Sequence, residues 1–197
     1  MNIGVLALQG AVAEHMGSLE EAGAKAVAVK RPEQLDELQG LVIPGGESTT
    51  IGKLMRKYGF IDAIRAFSAQ GKPIFGTCAG LIVLANHIES QQGPEEPHLG
   101  LMDMTVLRNA FGRQRESFET DLNVHGIDEP VRAVFIRAPL IKAVGADVDV
   151  LCEVNGEIVT ARQGHLLACS FHPELTDDAN LHRYFAEMVK QHLNVAG

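Results

Sequence analysis

The sequence predicts an α/β protein on three observations: strands and helices alternate through the first half, the second half is β-rich, and the C-terminal segment is an amphipathic helix. In the first half, apolar runs suited to buried strands occupy residues 3–8, 26–29 and 41–43, separated by helix-like segments at about 11–21 and 33–38. This is the βαβ rhythm of a parallel sheet. After Pro44-Gly-Gly46, Ser48 and Thr49 are candidate caps for a helix reaching Lys57. A second helix is expected over residues 61–70, and Lys72-Pro-Ile-Phe75 leads into a strand-to-helix elbow at Gly76-Thr-Cys-Ala-Gly80. Later strands are expected at 105–107, 117–124, 131–136, 148–154, 158–161 and 166–171, with Asn155-Gly156 as a hairpin turn between two of them. The last helix, about 180–193, sets Leu181, Tyr184, Phe185, Met188, Val189 and His192 or Leu193 along one side, which leaves His182 and His192 as surface or helix-end residues. Residues 90–97, with two prolines and a glycine, read as a solvated loop.

Length and composition narrow the class. At 197 residues without a Ser/Gly/Pro tract or an internal repeat, the chain is expected to form one domain over 1–197. With 46% apolar and 21% charged residues it has the composition of an ordinary globular protein. A net charge of -8 with scattered Lys and Arg excludes a general nucleic-acid surface, which needs a basic face. No stretch approaches membrane-spanning length, and the apolar start at Met1 lacks a basic leader, so it reads as a first strand and the expected compartment is cytoplasmic. Three cysteines at unrelated spacings, without a CxxC pair, give neither a disulfide framework nor a metal site.

Cys78 is the most informative residue. It lies in Gly76-Thr-Cys-Ala-Gly80, after an apolar strand and before the apolar stretch 81–85. A Gly-x-nucleophile-x-Gly turn lets the backbone bend sharply at a strand end and aims the next N–H at a reacting carbonyl. Cys152 and Cys169 lie in plain strand-like runs and read as core residues. A thiol attacks as thiolate and so needs a base. His172 follows the strand at 166–171 and precedes Pro173-Glu174, which places a base and a carboxylate two residues apart on one side of an extended segment. Glu174 would accept the second imidazole N–H and fix the tautomer of His172. The strand-end turn Pro44-Gly-Gly-Glu-Ser-Thr49 offers a Gly46 N–H that, with the Ala79 N–H, would make an oxyanion hole. It lacks the Gly-x-x-x-x-Gly-Lys pattern of a phosphate loop.

The segments Leu8-Gln-Gly-Ala-Val-Ala-Glu-His15, Pro44-Gly-Gly-Glu-Ser-Thr49, Gly76-Thr-Cys-Ala-Gly80, Arg108-Asn-Ala-Phe-Gly-Arg-Gln114, Phe135-Ile-Arg-Ala-Pro139 and Ser170-Phe-His-Pro-Glu-Leu175 resemble the class I, or triad, glutamine amidotransferases. More narrowly, the chain resembles the glutaminase subunits of pyridoxal 5'-phosphate synthase complexes. No motif is broken, and only the loop after Glu89 is slightly extended. The resemblance implies a single-domain, flavodoxin-like three-layer sandwich on a mixed, mostly parallel sheet. It implies that Cys78 is the nucleophile, His172 the base and then acid, and Glu174 its orienting partner, hydrolysing L-glutamine to glutamate and ammonia through a γ-glutamyl thioester. It further implies that glutamine is held by Gly46, Glu47, Ser48, Arg108, Ile136 and Arg137, and that Gln9 couples the site to the synthase. The implied partner is a (β/α)8-barrel subunit that uses the ammonia to make vitamin B6, and no cofactor or metal is implied for this chain. Three other readings share the nucleophile: a triad glutaminase of another synthase, a cysteine-based γ-glutamyl peptidase, and a flavodoxin-like redox sensor in which Cys78 is merely oxidisable. The Phe-Gly-Arg-Gln and Ile-Arg-Ala-Pro segments disfavour the first of these.

Overall fold

A computed structural model describes residues 1–89, 96–108 and 117–196. Most of the predicted loop at 90–97, and residues 109–114 of the Arg108 motif, lie outside the described residues. In chain order the elements are β1 (Asn2–Leu6), α1 (Val12–Glu21), β2 (Lys25–Val29), a 3₁₀ turn (Pro32–Glu37), β3 (Gly40–Ile43), α2 (Ser48–Lys57), α3 (Phe60–Ala69), β4 (Ile74–Thr77) and α4 (Ala79–Leu84). There follow β5 (Ala85–Glu89), β6 (Met102–Leu107), β7 (Ser117–Leu122), β8 (Val131–Ile136), β9 (Leu140–Val144), β10 (Asp149–Val154), β11 (Glu157–Gln163), β12 (Leu166–Cys169), a 3₁₀ turn (Pro173–Leu175) and α5 (Asn180–Ala196).

The main sheet runs β2-β1-β3-β4-β12-β11-β9-β6-β5, with β10 paired to β11; β7 and β8 form a separate ribbon. From β2 to β12 every pairing is parallel, while β11 pairs antiparallel with β9, β10 and β12. The parallel block is therefore the first half's βαβ alternation closed by one late strand, β12, inserted beside β4. Hairpin β10–β11 turns at Asn155-Gly156, where both residues take positive φ of 51° and 82°. That is the conformation for which the Asn-Gly pair is preferred.

The central strands β3, β4 and β12 are buried along their whole length, and their side chains point alternately to the two covered faces of the sheet. Leu41, Ile43, Ile74, Leu166 and Ala168 point to one core with Ile51 and Met55 of α2, Ile64 and Phe67 of α3, and α4. Val42, Phe75, Leu167 and Cys169 point to the other, where Leu19 of α1, Phe135 of β8, and Leu181, Phe185 and Val189 of α5 cover them. This is the three-layer, flavodoxin-like sandwich. Among the described residues no helix is long and apolar enough to cross a membrane.

Several local expectations are corrected. Residues 33–38 were expected to be helical but form a 3₁₀ turn, Pro32–Glu37, a short connector of the kind in which this tighter winding is common. Strands β5 and β9 were not anticipated. After the elbow, α4 stops at Leu84 and the chain turns extended at Ala85. The cap of α2 is Glu47, whose carboxylate accepts the N–H groups of Thr49 at 3.1 Å and Thr50 at 2.7 Å, so Ser48 and Thr49 lie inside the helix. His182, expected at the surface, is fully buried: with Phe185 and Val189 it falls at a 3–4 residue spacing on the stripe that faces the sheet.

Candidate active site

Adjacent parallel strands β3, β4 and β12 deliver three loops to one edge of the sheet, the carboxyl end where ligands of open α/β sheets bind. β4 ends in the elbow. Cys78 takes φ 53° and ψ -106°, a conformation that costs about 1–3 kcal/mol and persists only when its surroundings enforce it. Those surroundings are the Cys78 N–H donated to the Cys169 carbonyl at 2.9 Å and the start of α4 at Ala79. The flanking glycines are steric requirements: a Cβ on Gly80 would lie 2.1 Å from the Ile43 carbonyl oxygen, and one on Gly76 2.5 Å from that of Gly80. Cys78 is 7% exposed. Cys152 and Cys169 are buried free thiols, and burial pushes the Cys169 thiol well up from its ordinary pKa.

The loop after β12 carries His172, whose N–H is fixed to the Val134 carbonyl of β8 at 2.8 Å. Its ring Nδ1 lies 2.7 Å from Glu174 Oε1, and its other partner is the Cys78 thiol. Burial disfavours the charged imidazole, but the hydrogen bonds to Cys78 and Glu174 outweigh it and push the His172 pKa to about 10. Gly45, at the end of β3, is the floor of this pair: a Cβ there would lie 2.6 Å from His172 Cε1 and 3.3 Å from Cys78 Cβ. The strand-end glycine pair thus has a second use beyond the turn, since only a hydrogen side chain lets imidazole and thiol meet.

Cys78, Ala79 and His172 line a cavity of about 500 Å³ together with Gly46, Glu47, Ser48, Ile82, Arg108, Ile136, Arg137 and Pro139. Every residue expected to bind substrate is among them. Ala79 is the first residue of α4, so its N–H is not consumed by the helical ladder. Arg108 donates Nη1 to Thr49 Oγ1 at 3.2 Å, while its buried Nε has no hydrogen-bond partner among the described residues. A buried, unspent guanidinium donor suits a carboxylate ligand. Arg137 holds a left-handed φ of 45° at the rim. Glu47 offers the cavity main chain rather than charge, because its carboxylate is occupied by the α2 cap; burial is outweighed by these hydrogen bonds, which lower its pKa. Gln9 is not part of the lining, but its Oε1 accepts the Glu47 N–H at 2.7 Å and so braces the Gly46-Glu47 turn from behind.

Two histidines behind the site had no functional reading in the sequence. His15 of α1 and His182 of α5 are both fully buried, with His15 Nδ1 2.9 Å from His182 Nε2 and His15 Nε2 3.5 Å from Glu174 Oε2. The signal that could have found His182 was its place on the apolar stripe of the last helix.

Comparison with known proteins gives the family of the chain. The model of the SNO glutamine amidotransferase family matches residues 5–191. The chain is 72% identical over 191 residues to the pyridoxal 5'-phosphate synthase subunit PdxT of Niallia circulans, covering 97% of this chain and 99% of that protein. It is 63% identical over 196 residues to the PdxT subunit of Halalkalibacterium halodurans, covering 100% of this chain and 98% of that protein. A crystal structure of a glutamine amidotransferase superposes with a TM-score of 0.90 at 50% identity, over 95% of this chain and 98% of that one.

Proposed function

The chain belongs to the SNO glutamine amidotransferase family, and from that premise we propose that Cys78, His172 and Glu174 form its catalytic triad and that the surrounding cavity binds L-glutamine. The protein is a glutaminase that releases ammonia from L-glutamine for pyridoxal 5'-phosphate synthesis, working with a synthase subunit. The observation that supports the triad is the meeting of a thiol on a strained elbow with a sequence-distant imidazole over Gly45, the imidazole itself 2.7 Å from the buried carboxylate two residues on.

The reaction follows from those positions. His172 takes the thiol proton, and the resulting Cys78 thiolate attacks the side-chain carboxamide carbon of glutamine. Negative charge collects on the former carbonyl oxygen, where the Ala79 N–H and the main chain at Gly46 would stabilise it. As the tetrahedral species collapses, His172 gives its proton to the departing ammonia, leaving a γ-glutamyl thioester on Cys78. Water deprotonated by His172 then attacks the thioester, and glutamate leaves as the thiol is regenerated. Glu174 holds the imidazole's Nδ1–H throughout and stabilises the imidazolium. Arg108 pairs with the α-carboxylate of glutamine through its unspent donor, with Ser48, Ile136 and Arg137 shaping the rest of the pocket. Gln9, behind the Gly46-Glu47 turn, is the element through which a docked synthase reaches the oxyanion hole. The working compartment is the cytoplasm.

The test is glutamine hydrolysis by the purified chain with and without its cognate barrel subunit. Ammonia release that rises with the partner and disappears in Cys78→Ala is expected. Unchanged release in that variant would remove Cys78 from the mechanism.

A further inference from the structure

We infer that His15, held in place by His182, is a positioning residue for the glutaminase reaction: it acts as a neutral Nε2–H donor that holds the second carboxylate oxygen of Glu174. This rests on the triad assignment above and adds a residue to it.

Glu174 is 5% exposed, and its two oxygens have different surroundings. Oε1 accepts from His172 at 2.7 Å, whereas Oε2 is buried without a hydrogen-bond partner at ordinary distance; the cationic or donor group facing it is His15 Nε2 at 3.5 Å. His15 Nε2 also lies 3.2 Å from Thr77 Oγ1, the residue before the nucleophile. On the other side, one proton must sit between His15 Nδ1 and His182 Nε2, which are 2.9 Å apart.

That proton has two possible homes. If His15 Nδ1 carried it, His182 would need its own proton on Nδ1, which is buried without an acceptor, and the bare His15 Nε2 would turn a lone pair on a carboxylate. If His182 Nε2 carries it, His182 donates to His15 Nδ1, and His15 presents Nε2–H to the space between Glu174 Oε2 and Thr77 Oγ1. Only a lone pair on His182 Nδ1 is then unmatched, the lesser penalty of the two. The second arrangement is the one that turns a donor toward Glu174 Oε2, 3.5 Å away, with Thr77 Oγ1 as the nearer partner of the same N–H, so the relay runs His182 to His15 to Glu174 to His172 to Cys78.

Both inner histidines are suited to remain neutral donors. Burial, reinforced by the facing His182 and His172, holds the His15 pKa well below its ordinary value, and burial alone pushes that of His182 down to about 3. His182 is further pinned by an edge-on contact with Phe75 of β4, ring centroids 5.8 Å apart, so α5 is tied through this side chain to the strand that carries the nucleophile. A carboxylate held at one oxygen can swing about its Cγ–Cδ bond. Held at both, it keeps Oε1 on the His172 Nδ1–H while the imidazole shuttles the proton.

The experiment compares His15→Asn with His15→Gln in the complex with the barrel subunit. Asn is short and can reach His182 but not Glu174; the longer Gln carries an amide donor toward the position of Nε2. Loss of kcat of roughly tenfold in His15→Asn, with KM for glutamine little changed and recovery to within about threefold in His15→Gln, is the expected pattern for a charged hydrogen bond used in the transition state. The effect of His15→Asn should also shrink toward nothing in a Glu174→Gln background, because both act through one carboxylate. Equal rates in the Asn and Gln variants, or effects of His15→Asn and Glu174→Gln that multiply, would overturn the inference. If His15→Asn does not fold, His182→Gln, which frees His15 Nδ1 without touching the site, must lower kcat selectively in the same manner or the relay fails. Wild-type complex and Cys78→Ala run alongside separate failure of this inference from failure of the triad assignment.

Discussion

Glu174→Gln is the perturbation whose consequence the geometry states most fully. The His172 pKa is raised from 6.5 to about 10, equivalent to about 5 kcal/mol in favour of imidazolium, net of the burial that opposes it and shared between Cys78 and Glu174. Glutamine in place of glutamate keeps the shape, can still accept the Nδ1–H through its amide oxygen, and removes the charge. A hydrogen bond to a charged group contributes about 1.5–3 kcal/mol, so its loss should lower the His172 pKa by roughly one to two pH units. The sign is fixed: a raised imidazole pKa means that the charged form is held below about 10 and lost as pH rises through that value, and the variant loses it at lower pH. Because the imidazolium must form in each half-reaction, kcat should fall by roughly 10- to 100-fold. The assays are an NMR titration of the His172 ring in the isolated chain and steady-state glutamine hydrolysis in the complex. A His172 titration that does not move, together with a rate within twofold of wild type, would refute the electrostatic role given to Glu174.

Further predictions follow from other parts of the site. Gly45→Ala places a Cβ 2.6 Å from His172 Cε1, so it should destabilise the fold by about 1–3 kcal/mol and cut kcat by roughly tenfold or more; melting curves and kinetics decide, and an unaltered rate would mean that the imidazole has another working position. Arg108→Gln should raise KM for glutamine by roughly tenfold with little change in kcat, measured over a glutamine concentration series, since the guanidinium is assigned to ground-state binding of a carboxylate. In the isolated chain the His172 ring should hold its proton well above the ordinary imidazole value, up to about 10, and Cys78→Ala should lower that value because the thiol supplies part of the shift; an NMR titration unchanged by the substitution would contradict the pairing.

Much of the fold was legible because it is written in local chemistry. The strand at 131–136 has the expected bounds, the helix after the Gly45-Gly46 turn ends at Lys57 as expected, and the Asn155-Gly156 turn follows from its preference for positive φ. What escaped was set by tertiary neighbours. The run 81–85 has no breaker at Leu84, where α4 gives way to β5, and nothing local to Leu140-Ile-Lys-Ala-Val144 announces that β6 and β11 lie on either side of it. The N-cap of α2 depends on the reach of the Glu47 carboxylate to two N–H groups, a choice among adjacent polar residues that composition leaves open.

The site divides in the same way. Cys78, His172 and Glu174 were visible as an elbow and a strand-end triplet; the cavity unites Cys78 and His172 with the residues expected at Gly46, Ala79, Arg108 and Arg137, and Glu174 lies behind His172. Gly45 and His15 were not visible, since each matters only through contacts with segments far away in sequence. His182 was misplaced at the surface although its spacing to Phe185 and Val189 already put it on the buried face.

The most direct test of the central claim is to trap the acyl-enzyme. The complex of this chain with its barrel subunit is mixed with glutamine, quenched in acid, and the chain analysed by intact and peptide mass spectrometry. One glutamyl group on the peptide containing Cys78, removed by hydroxylamine and absent in Cys78→Ser, is the predicted result. Turnover of glutamine with no such adduct, together with an unimpaired Cys78→Ser complex, would contradict it.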